Sequence, residues 1–502
     1  MTAEATIEAR AETLLAFRNV LKLGGSLLFT WGVAIVMRLV LPRYLGPARF
    51  GMLTFADAFT AAFLIALSLG VDVYARKHVS VRPEHASDFF GGTLIIRAVL
   101  ALALVGVMSV VLGLTHRPAE VRHLVYILAL AQFLLNGNLT LSAFLQSKGS
   151  VGGLSLISAT AKIVWAVGLL CAIALRAGLW AYALAYVASE ALKGVALLVL
   201  AHRHLGLVVR VDVSATKGML VASLPYYLTV FATTAYAKLD LALVGVLGSD
   251  TEVGWYAAAG AIAALTLMLA PLLEWVLMPT FARAAARSHD ELYERMRWAT
   301  NIVLAIAVPA SLLVNVGADL LVRTLFGAPY AQAALALRIL TTTFVLTYIN
   351  IIYAMALTML ERAWTLTLIS IGGLVVNVGL NALLIPRGLV LVGEGGGGAS
   401  AALALLGTEI FVCLTMLRVV GRQAFDRPTT RMLLKSLLAC GVVFVVDHVV
   451  SRLGWARVAI DGSLYVALAL ATGALSVRNA TKVVTVALSS RSRARRAPDQ
   501  RG

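Results

Sequence analysis

Charged residues are scarce in this chain. Only 13% of its 502 residues are Asp, Glu, Lys or Arg, whereas 60% are hydrophobic and the mean hydropathy is +0.89. Soluble globular domains carry charge on about 25% of their residues, so this composition excludes a soluble protein with a solvated surface. A chain this long and this apolar is predicted to cross a membrane many times.

Cysteines and catalytic motifs are also rare. Cys171, Cys413 and Cys440 each stand alone in an apolar segment, with no CxxC pair, which excludes a disulfide framework or a cysteine metal site. The chain has no GxxxxGK[ST] run, no HExxH and no DxD-type sugar-nucleotide site in a loop. The predicted outer loops are too short for a membrane-embedded polymerase or ligase. We therefore expect no enzyme, no bound metal and no cofactor.

Apolar runs of about 20 residues, the length that crosses the hydrocarbon core, recur along the chain. They predict an all-α membrane protein with transmembrane helices at residues 20–42, 51–75, 89–114, 121–146, 151–175, 178–201, 218–247, 253–281, 298–326, 331–359, 364–386, 399–420, 432–451 and 458–477. The loops are short, so neighbouring helices are antiparallel and the function must lie within the membrane.

The distribution of Lys and Arg predicts the orientation. With both termini in the cytoplasm, the cytoplasmic segments hold 27 of these residues and the outer segments hold 8. The net charge of +17 then reflects a cytoplasmic surface next to anionic membrane lipids and gives no indication of nucleic-acid binding. Residues 1–19 form a cytoplasmic N-terminal segment, and residues 478–502 form a basic cytoplasmic tail.

A weak internal repeat relates the first and seventh spans. LPRYLGPARFG (41–51) and VGVLGSDTEVG (244–254) both leave a span through LG, turn, and enter the next span through Gly. Gly46 corresponds to Gly248, and Gly51 corresponds to Gly254. A displacement of six spans preserves the topology, so the two halves are predicted to be parallel repeats.

Four motifs in order resemble those of the bacterial oligosaccharide (O-antigen and polysaccharide) flippases. They are MRLVLPRYLGPARFG (37–51), KLDLALVGVLGSDTEVGWYAAAG (238–260), VPASLLVNVGADLLVRTLFGAPYAQAALALRIL (308–340), and LNALLIPRGL (380–389) with GGASAALALLGTEIF (397–411). These flippases belong to the multidrug/oligosaccharidyl-lipid/polysaccharide exporter superfamily. The resemblance implies two six-helix lobes, residues 20–201 and 218–420, around a central cavity, with two appended helices at 432–477. The GEGGGG insert at 393–398 departs from the family pattern, and we expect a flexible loop there.

The resemblance implies a function in surface polysaccharide biosynthesis at the bacterial cytoplasmic membrane. We expect an undecaprenyl-pyrophosphate-linked oligosaccharide as substrate, H⁺ or Na⁺ as a coupling ion, and a polysaccharide polymerase as a further partner. Two alternatives remain open, a flippase for the peptidoglycan precursor lipid II and a multidrug cation antiporter. The excess of basic over acidic groups in the first lobe's spans argues against the antiporter.

Basic residues within the spans are the candidates for contact with an anionic headgroup, because an ionisable group at this depth costs about 3 kcal/mol or more without a partner. The candidates are Lys238, Arg97, Lys162 and Arg38. For three of these residues the sequence also suggests a structural role. Lys238 is placed to pair with Asp57 or Glu409, Arg97 with Asp72, and Arg38 lies near enough to the outer interface to snorkel.

Acidic residues within the spans are the candidates for ion coupling. They are Asp240, Asp57, Glu274 and Glu409, since a desolvated carboxylate binds either a proton or a cation. Lys238 and Asp240 lie about 200° apart around one helix and so face different surroundings. Glu190 and Lys193, spaced i, i+3, are predicted to pair with each other.

Overall fold

The structure is a computed structural model that describes residues 3–71, 85–147, 151–267, 270–423 and 426–473. These residues form helices joined by turns, and the described part of the chain contains no strand. The predicted all-α fold is therefore confirmed. Asp72 and the predicted basic tail at 478–502 lie outside the described residues.

The first six predicted spans lie on five α-helices, because the first two share one helix. That helix, α1, bends at Gly46, whose φ of 73° and ψ of 167° are not helical, between Pro42 and Pro47. The helices are α1 (Ala3–Leu64), which continues into a 3₁₀ turn (Ile65–Ser68), α2 (His85–Leu114), α3 (Ala119–Ser147), α4 (Val151–Ala174) and α5 (Leu179–Leu205).

The remaining predicted spans also lie on helices, with two interruptions that the sequence did not predict. The span at 253–281 was predicted to be continuous, but one helix ends at Thr266 and the next begins at Ala270. The span at 298–326 was predicted to be continuous, but its helix ends at Val316 and a short helix begins at Ala318 after Gly317. The helices are α6 (Val213–Leu247), α7 (Asp250–Thr266), α8 (Ala270–Ala285), α9 (His289–Val316), α10 (Ala318–Phe326), α11 (Ala333–Met359), α12 (Ala363–Leu391), α13 (Gly396–Val420), α14 (Arg427–Val450) and α15 (Trp455–Ala471).

Length and composition alone make ten helices in the described ranges capable of crossing a membrane. The first of these, Phe29–Ser68, has 40 residues and covers two predicted spans. Helices α7, α8 and α15 have 17, 16 and 17 residues and, like α6, are not among the ten. These findings support a multi-pass membrane protein.

The chain divides into two compact units. The first unit comprises Met1–Ile262, Val322–Leu340 and Ala363–Val412, and the second comprises Ala263–Leu321, Thr341–Arg362 and Cys413–Gly502. These units do not follow the two predicted six-helix lobes, whose boundaries remain a prediction.

Within the first unit, the two turns of the predicted repeat contact each other. A Cβ atom at Gly51 would overlap the carbonyl oxygen of Asp250 and lie 2.9 Å from the backbone nitrogen of Gly254. A Cβ atom at Gly254 would in turn overlap the carbonyl oxygen of Pro47 and lie 2.8 Å from its carbon. The two glycines that correspond in the repeat thus allow a reciprocal contact between backbones, which any side chain would prevent.

Arg117, in the turn between α2 and α3, contacts the same region. Its Nη1 lies 2.6 Å from Oδ1 of Asp250, and its Nη2 donates to the carbonyl of Gly245. The guanidinium also lies 4.2 Å from the ring centroid of Phe55 on α1. One side chain therefore joins the end of α6, the start of α7 and α1.

The GEGGGG insert forms hydrogen bonds to α7, and α13 begins within it at Gly396. Glu252 on α7 is 4% exposed, and its two carboxylate oxygens accept hydrogen bonds from the backbone N–H groups of Gly395 at 2.6 Å and Gly398 at 3.0 Å. These N–H groups lie at the start of α13, where no carbonyl of the same helix can accept a hydrogen bond from them. A carboxylate here also interacts favourably with the helix dipole.

In the second unit, polar side chains join helices that are distant in sequence. Ser311 on α9 donates to the carbonyl of Thr341 on α11 at 2.7 Å. Arg297 on α9 donates to the carbonyl of Gln423 at 2.9 Å and lies 3.6 Å from the carboxylate of Asp426, which caps α14. Asp319 on α10 pairs with Arg457 on α15.

The glycine contact can be tested by enlarging one glycine. We expect Gly254→Ala to lower the free energy of unfolding by about 1–3 kcal/mol, because the added methyl group overlaps backbone that has no free space. Thermal unfolding of the purified protein in detergent measures the change. Gly260→Ala on the same helix is the matched control, since a Cβ there meets nothing within 4 Å. Equal melting temperatures for the two variants would contradict the prediction.

The ion pair of Arg117 and Asp250 can be tested by a double-mutant cycle. The side chains are 10% and 15% exposed, so we expect Arg117→Gln to cost about 1–3 kcal/mol, between the values for exposed and buried pairs. The double variant Arg117→Gln/Asp250→Asn should cost less than the sum of the single variants. Arg122→Gln, at an exposed position on α3, is the control. Additive effects would show that the two side chains do not stabilise each other.

Candidate functional site

A cavity of about 250 Å³ lies within the first unit, among helices α1, α4 and α5. Its charged lining consists of Lys162, Glu190 and Lys193, and its aromatic lining consists of Trp31, Trp165 and Tyr186. The rest of the lining is small or hydroxyl-bearing. The volume is below the range of about 300–1,000 Å³ that holds whole small-molecule ligands, so the cavity accommodates a headgroup or a single sugar ring.

Helical periodicity places these side chains together. Helix α4 lines the cavity with residues 158, 161, 162 and 165, and α5 lines it with residues 186, 189, 190 and 193. Both sets follow the spacing i, i+3, i+4, i+7, which is one face of an α-helix. Helix α1 contributes Ala34, and Arg38 follows on the same face one turn later.

The electrostatics of the cavity centre on Lys162. Its Nζ lies 3.6 Å from the ring centroid of Trp165, a cation–π contact. The charges of Arg38 and Lys193 repel the Lys162 ammonium, while that of Glu190 attracts it. The charges of Asp57 and Glu190 both act on the hydroxyl of Tyr186. The predicted residues Lys162, Arg38 and Asp57 therefore belong to one charged cluster.

Glu190 is engaged by a neighbouring helix. Asn138 on α3 donates from Nδ2 to the Glu190 carboxylate at 2.8 Å and to its backbone carbonyl at 2.9 Å. Within the part of the chain that the structure describes, Glu190 forms no ion pair with Lys193, so the predicted pair is wrong. The positive charges of the cavity are thus not neutralised by direct contact with this carboxylate.

Arg97 lies elsewhere and supports the fold. It is 2% exposed, and it donates to the carbonyls of Leu67 at 2.6 Å and Ser68 at 3.2 Å, which end the 3₁₀ turn after α1. It also donates to the carbonyl of Asn136 at 3.0 Å and to the hydroxyl of Thr140 at 2.8 Å. A guanidinium has five N–H donors, and these contacts use most of them. The expected pyrophosphate contact of Arg97 has no support in this geometry.

Lys238 and Asp240 face different surroundings, as their spacing predicts. Lys238 is half-buried, and among the described residues it forms no ion pair with Asp57 or Glu409. The structure therefore gives no support to an ion pair of Lys238 with either carboxylate. The contact of Lys238 with a substrate remains a prediction, because Lys238 is not among the residues that line the cavity.

Asp240 is the centre of a buried polar cluster on α6, α7 and α12. It is 2% exposed, and its carboxylate accepts hydrogen bonds from Nδ2 of Asn381 at 2.7 Å, Nδ2 of Asn377 at 2.9 Å and the hydroxyl of Tyr256 at 3.4 Å. No described lysine or arginine neutralises this carboxylate. A buried anion that has only neutral donors is suited to bind a proton or a small cation.

The other acidic candidates differ in burial. Asp57 is half-buried on α1, near Tyr186. Glu274 is exposed on α8, in the second unit. Glu409 is 4% exposed on α13. No group of three His, Cys, Asp or Glu residues suited to a metal ion occurs in the described ranges.

The sequence analysis missed part of the cavity. Lys193, Trp31, Trp165 and Tyr186 line it but were not predicted as site residues. The shared i, i+3, i+4, i+7 spacing on α4 and α5 was the signal that could have identified Trp165, Tyr186 and Lys193. Nothing in the sequence distinguishes Trp31 from the other aromatic residues of the spans.

Comparison with solved structures places the fold among membrane transporters. The chain resembles the lipid II flippase MurJ in an inward closed conformation, with a TM-score of 0.70, 12% identity, and coverage of 89% of this chain and 97% of MurJ. It also resembles a single-residue mutant of the MATE transporter VcmN from Vibrio cholerae, with a TM-score of 0.56, 14% identity, and coverage of 82% and 99%. At these identities the similarity concerns the fold.

A third similar structure is an inward-facing multidrug resistance MATE family transporter of the MOP superfamily, with a TM-score of 0.57, 16% identity, and coverage of 78% and 98%. No curated protein matches the sequence. The family model described as polysaccharide biosynthesis protein matches residues 40–335, which is more than half of the chain. The chain therefore belongs to this polysaccharide biosynthesis family.

Proposed function

We propose that this protein is a flippase for lipid-linked oligosaccharides. It moves polyprenyl-pyrophosphate-linked sugar repeat units across the cytoplasmic membrane by alternating access, for the synthesis of surface polysaccharide. The observation that carries the proposal is the basic and aromatic cavity of the first unit, in a chain of the polysaccharide biosynthesis family. Its solved structural relatives are transporters and a flippase, which supports transport over catalysis.

The chemistry of the cavity suits a sugar pyrophosphate. Lys162 and Lys193, with Arg38 nearby, provide positive charge for a pyrophosphate group within an otherwise apolar span. Trp31 and Trp165 offer flat apolar faces against which a sugar ring packs. Because water is excluded from the surrounding spans, a charge-assisted hydrogen bond to phosphate is stronger here than at an exposed surface.

The two alternatives differ in how well the cavity suits them. A lipid II flippase, as MurJ is titled, would bind the same kind of anionic lipid headgroup, so the cavity agrees with it equally. The family match to polysaccharide biosynthesis favours the oligosaccharide. A multidrug antiporter binds cations, and the Lys162 and Lys193 ammonium groups would repel a cationic drug.

In this proposal Asp240 is the leading candidate for ion coupling, with H⁺ or Na⁺ as the ion. Its carboxylate is buried with two asparagines whose amide oxygens can turn toward a bound cation. Asp57, which is half-buried, and Glu409, which is buried, remain further candidates, whereas Glu274 is exposed on α8. The proposal places both termini in the cytoplasm and includes a polysaccharide polymerase as a partner.

The charge of the cavity can be tested by complementation. In a strain that lacks this gene, lipid-linked sugar should accumulate and surface polysaccharide should be lost. We expect Lys162→Gln to restore surface polysaccharide about tenfold less well than the wild type, because a lost charge-assisted hydrogen bond costs about 1.5–3 kcal/mol. Surface polysaccharide is measured at matched expression. Lys217→Gln, at an exposed position on α6, is the matched control.

Two outcomes would contradict different parts of this proposal. Full restoration by Lys162→Gln would show that the cavity does not bind the substrate. A deletion strain with normal surface polysaccharide and no accumulated lipid-linked sugar would contradict the flippase function itself. If lipid II accumulates instead, the peptidoglycan-precursor alternative is correct.

The role of Asp240 can be tested in proteoliposomes. Asp240→Asn keeps the shape of the side chain and removes its charge, so we expect a folded protein whose flipping no longer responds to an imposed H⁺ or Na⁺ gradient. Transport of a fluorescent lipid-linked oligosaccharide measures the response. Glu274→Gln is the comparison, because its exposed carboxylate is expected to leave the response unchanged. An Asp240→Asn protein that still responds as the wild type does would exclude Asp240 from coupling.

A further inference from the structure

An arginine with three aspartates lies at one end of the last two helices of the second unit. Arg457 and Asp461 lie on α15, Asp447 lies on α14, and Asp319 lies on α10. The cluster is separate from the cavity and from Asp240, which both belong to the first unit. With all four groups ionised, the cluster would carry two negative charges in excess.

Arg457 forms ion pairs with two of the three carboxylates. It is 6% exposed, and its Nη2 donates to the carbonyl of Val316 at 2.9 Å and pairs with Asp319. Its Nε lies 3.6 Å from Oδ1 of Asp447, within reach of an ion pair but too far for a hydrogen bond. The single positive charge of Arg457 therefore offsets one of the two negative charges that it contacts, and Asp461 forms no ion pair among the described residues.

Asp461 is buried without a hydrogen-bond donor. Its side chain is 0% exposed, and neither carboxylate oxygen accepts a hydrogen bond from any described residue. Asp461 lies one helical turn after Arg457 on α15, and the carboxyl group of Asp447, 3.6 Å from Nε of Arg457, is close enough to act on Asp461 electrostatically. Oδ1 of Asp447 likewise accepts no hydrogen bond from the described residues. Two neighbouring carboxylates, one of them buried without a donor, remain ionised together only at a large energetic cost.

The charges on the neighbouring elements do not alter this balance. Helix α15 packs on α14, on α9 and on the 3₁₀ turn Ser451–Leu453. On α14, His448 is exposed, and Lys435 binds the carbonyl of Thr472 at the opposite end of α15. On the turn, Arg452 is exposed. Helix α9 presents Leu313 beside Gly462, and its ionisable residues end at Arg297, far along the helix.

We propose that Asp447 and Asp461 together bind one proton. The protonated carboxyl group donates its O–H to the ionised one, which supplies the donor that both oxygens lack and removes one negative charge from the cluster. Two carboxyl groups that share a proton in this way titrate as a pair. The helix pair α14–α15 thus contains a proton-binding site that is independent of the proposed substrate cavity and of ion coupling at Asp240.

The sign of the pH effect follows from the number of bound protons. At pH values where free aspartate is ionised, the folded protein binds one proton more than the unfolded chain. The free energy of unfolding therefore falls as the pH rises. When the proton leaves, two adjacent carboxylates repel each other between α14 and α15, so this end of the helix pair becomes less stable in alkaline solution.

The experiment is thermal unfolding of the purified full-length protein in detergent, between about pH 4 and pH 8. Asp461→Asn replaces the acid with an amide that donates a hydrogen bond to Asp447 at every pH. We expect this variant to lose part of the wild-type dependence on pH and, at the alkaline end, to melt about 2–4 °C above the wild type. Asp447→Asn tests the pair from the other side. Asp290→Asn, at an exposed position on α9, should melt as the wild type does.

Infrared spectroscopy of the same proteins detects a protonated carboxyl group directly, so its result does not depend on a difference in stability. We expect a protonated carboxyl C=O band in the wild type and in Asp290→Asn at neutral pH, and its loss in Asp461→Asn. An Asp461→Asn protein with the same pH slope and the same band would overturn the proposal. A second result would also overturn the proposal. If Na⁺ raised the melting temperature of the wild type, K⁺ at equal ionic strength did not, and Asp461→Asn abolished the effect, the pair would bind a cation. None of these measurements depends on transport.

Discussion

The close approach of two repeat-related turns is the constraint on which the described structure of the first unit depends. Backbone meets backbone at Gly51 and Gly254 because neither residue has a side chain. The surrounding contacts converge on the same region. Arg117 binds the end of α6 and the start of α7, and Glu252, two residues after Asp250 on α7, holds the start of α13. Gly51 and Gly254 thus permit the contact between the two turns, and the side chain of Arg117, which lies outside both turns, stabilises it.

Polar groups inside apolar helices divide into two classes according to whether the protein satisfies them. Arg97 donates to carbonyls and a hydroxyl within hydrogen-bonding distance, so the fold satisfies its donors. Lys162 instead has an aromatic face and other charged side chains around it. In a medium where water does not supply the missing partners, the second class is the one suited to a ligand.

Each of the two units contains a cluster with an excess of charge of one sign, basic in the first unit and acidic in the second. In the first unit, an excess of basic groups lines a cavity, which an anionic headgroup can neutralise. In the second unit, an excess of acidic groups surrounds Arg457, and Asp461 is buried there with no hydrogen-bond donor among the described residues. The sign of the excess charge therefore decides which class of ligand each cluster suits.

The sequence alone determined the class of fold. A chain with so little charge and so many long apolar runs is stable in a bilayer, and apolar runs of this length cross the bilayer as helices. The sequence also determined that Lys238 and Asp240 face different surroundings, since helical geometry fixes the angle between them. Only the tertiary structure decided which charges are satisfied. Arg97 and Lys162 look alike in the sequence as single cations in apolar spans, and Glu190 has Lys193 at a pairing distance along the helix. Their actual partners, the carbonyls of Leu67 and Asn136, the ring of Trp165 and the amide of Asn138, lie on other turns or other helices. Helix packing, which one sequence does not reveal, therefore separates a structural charge from one that is available to a ligand.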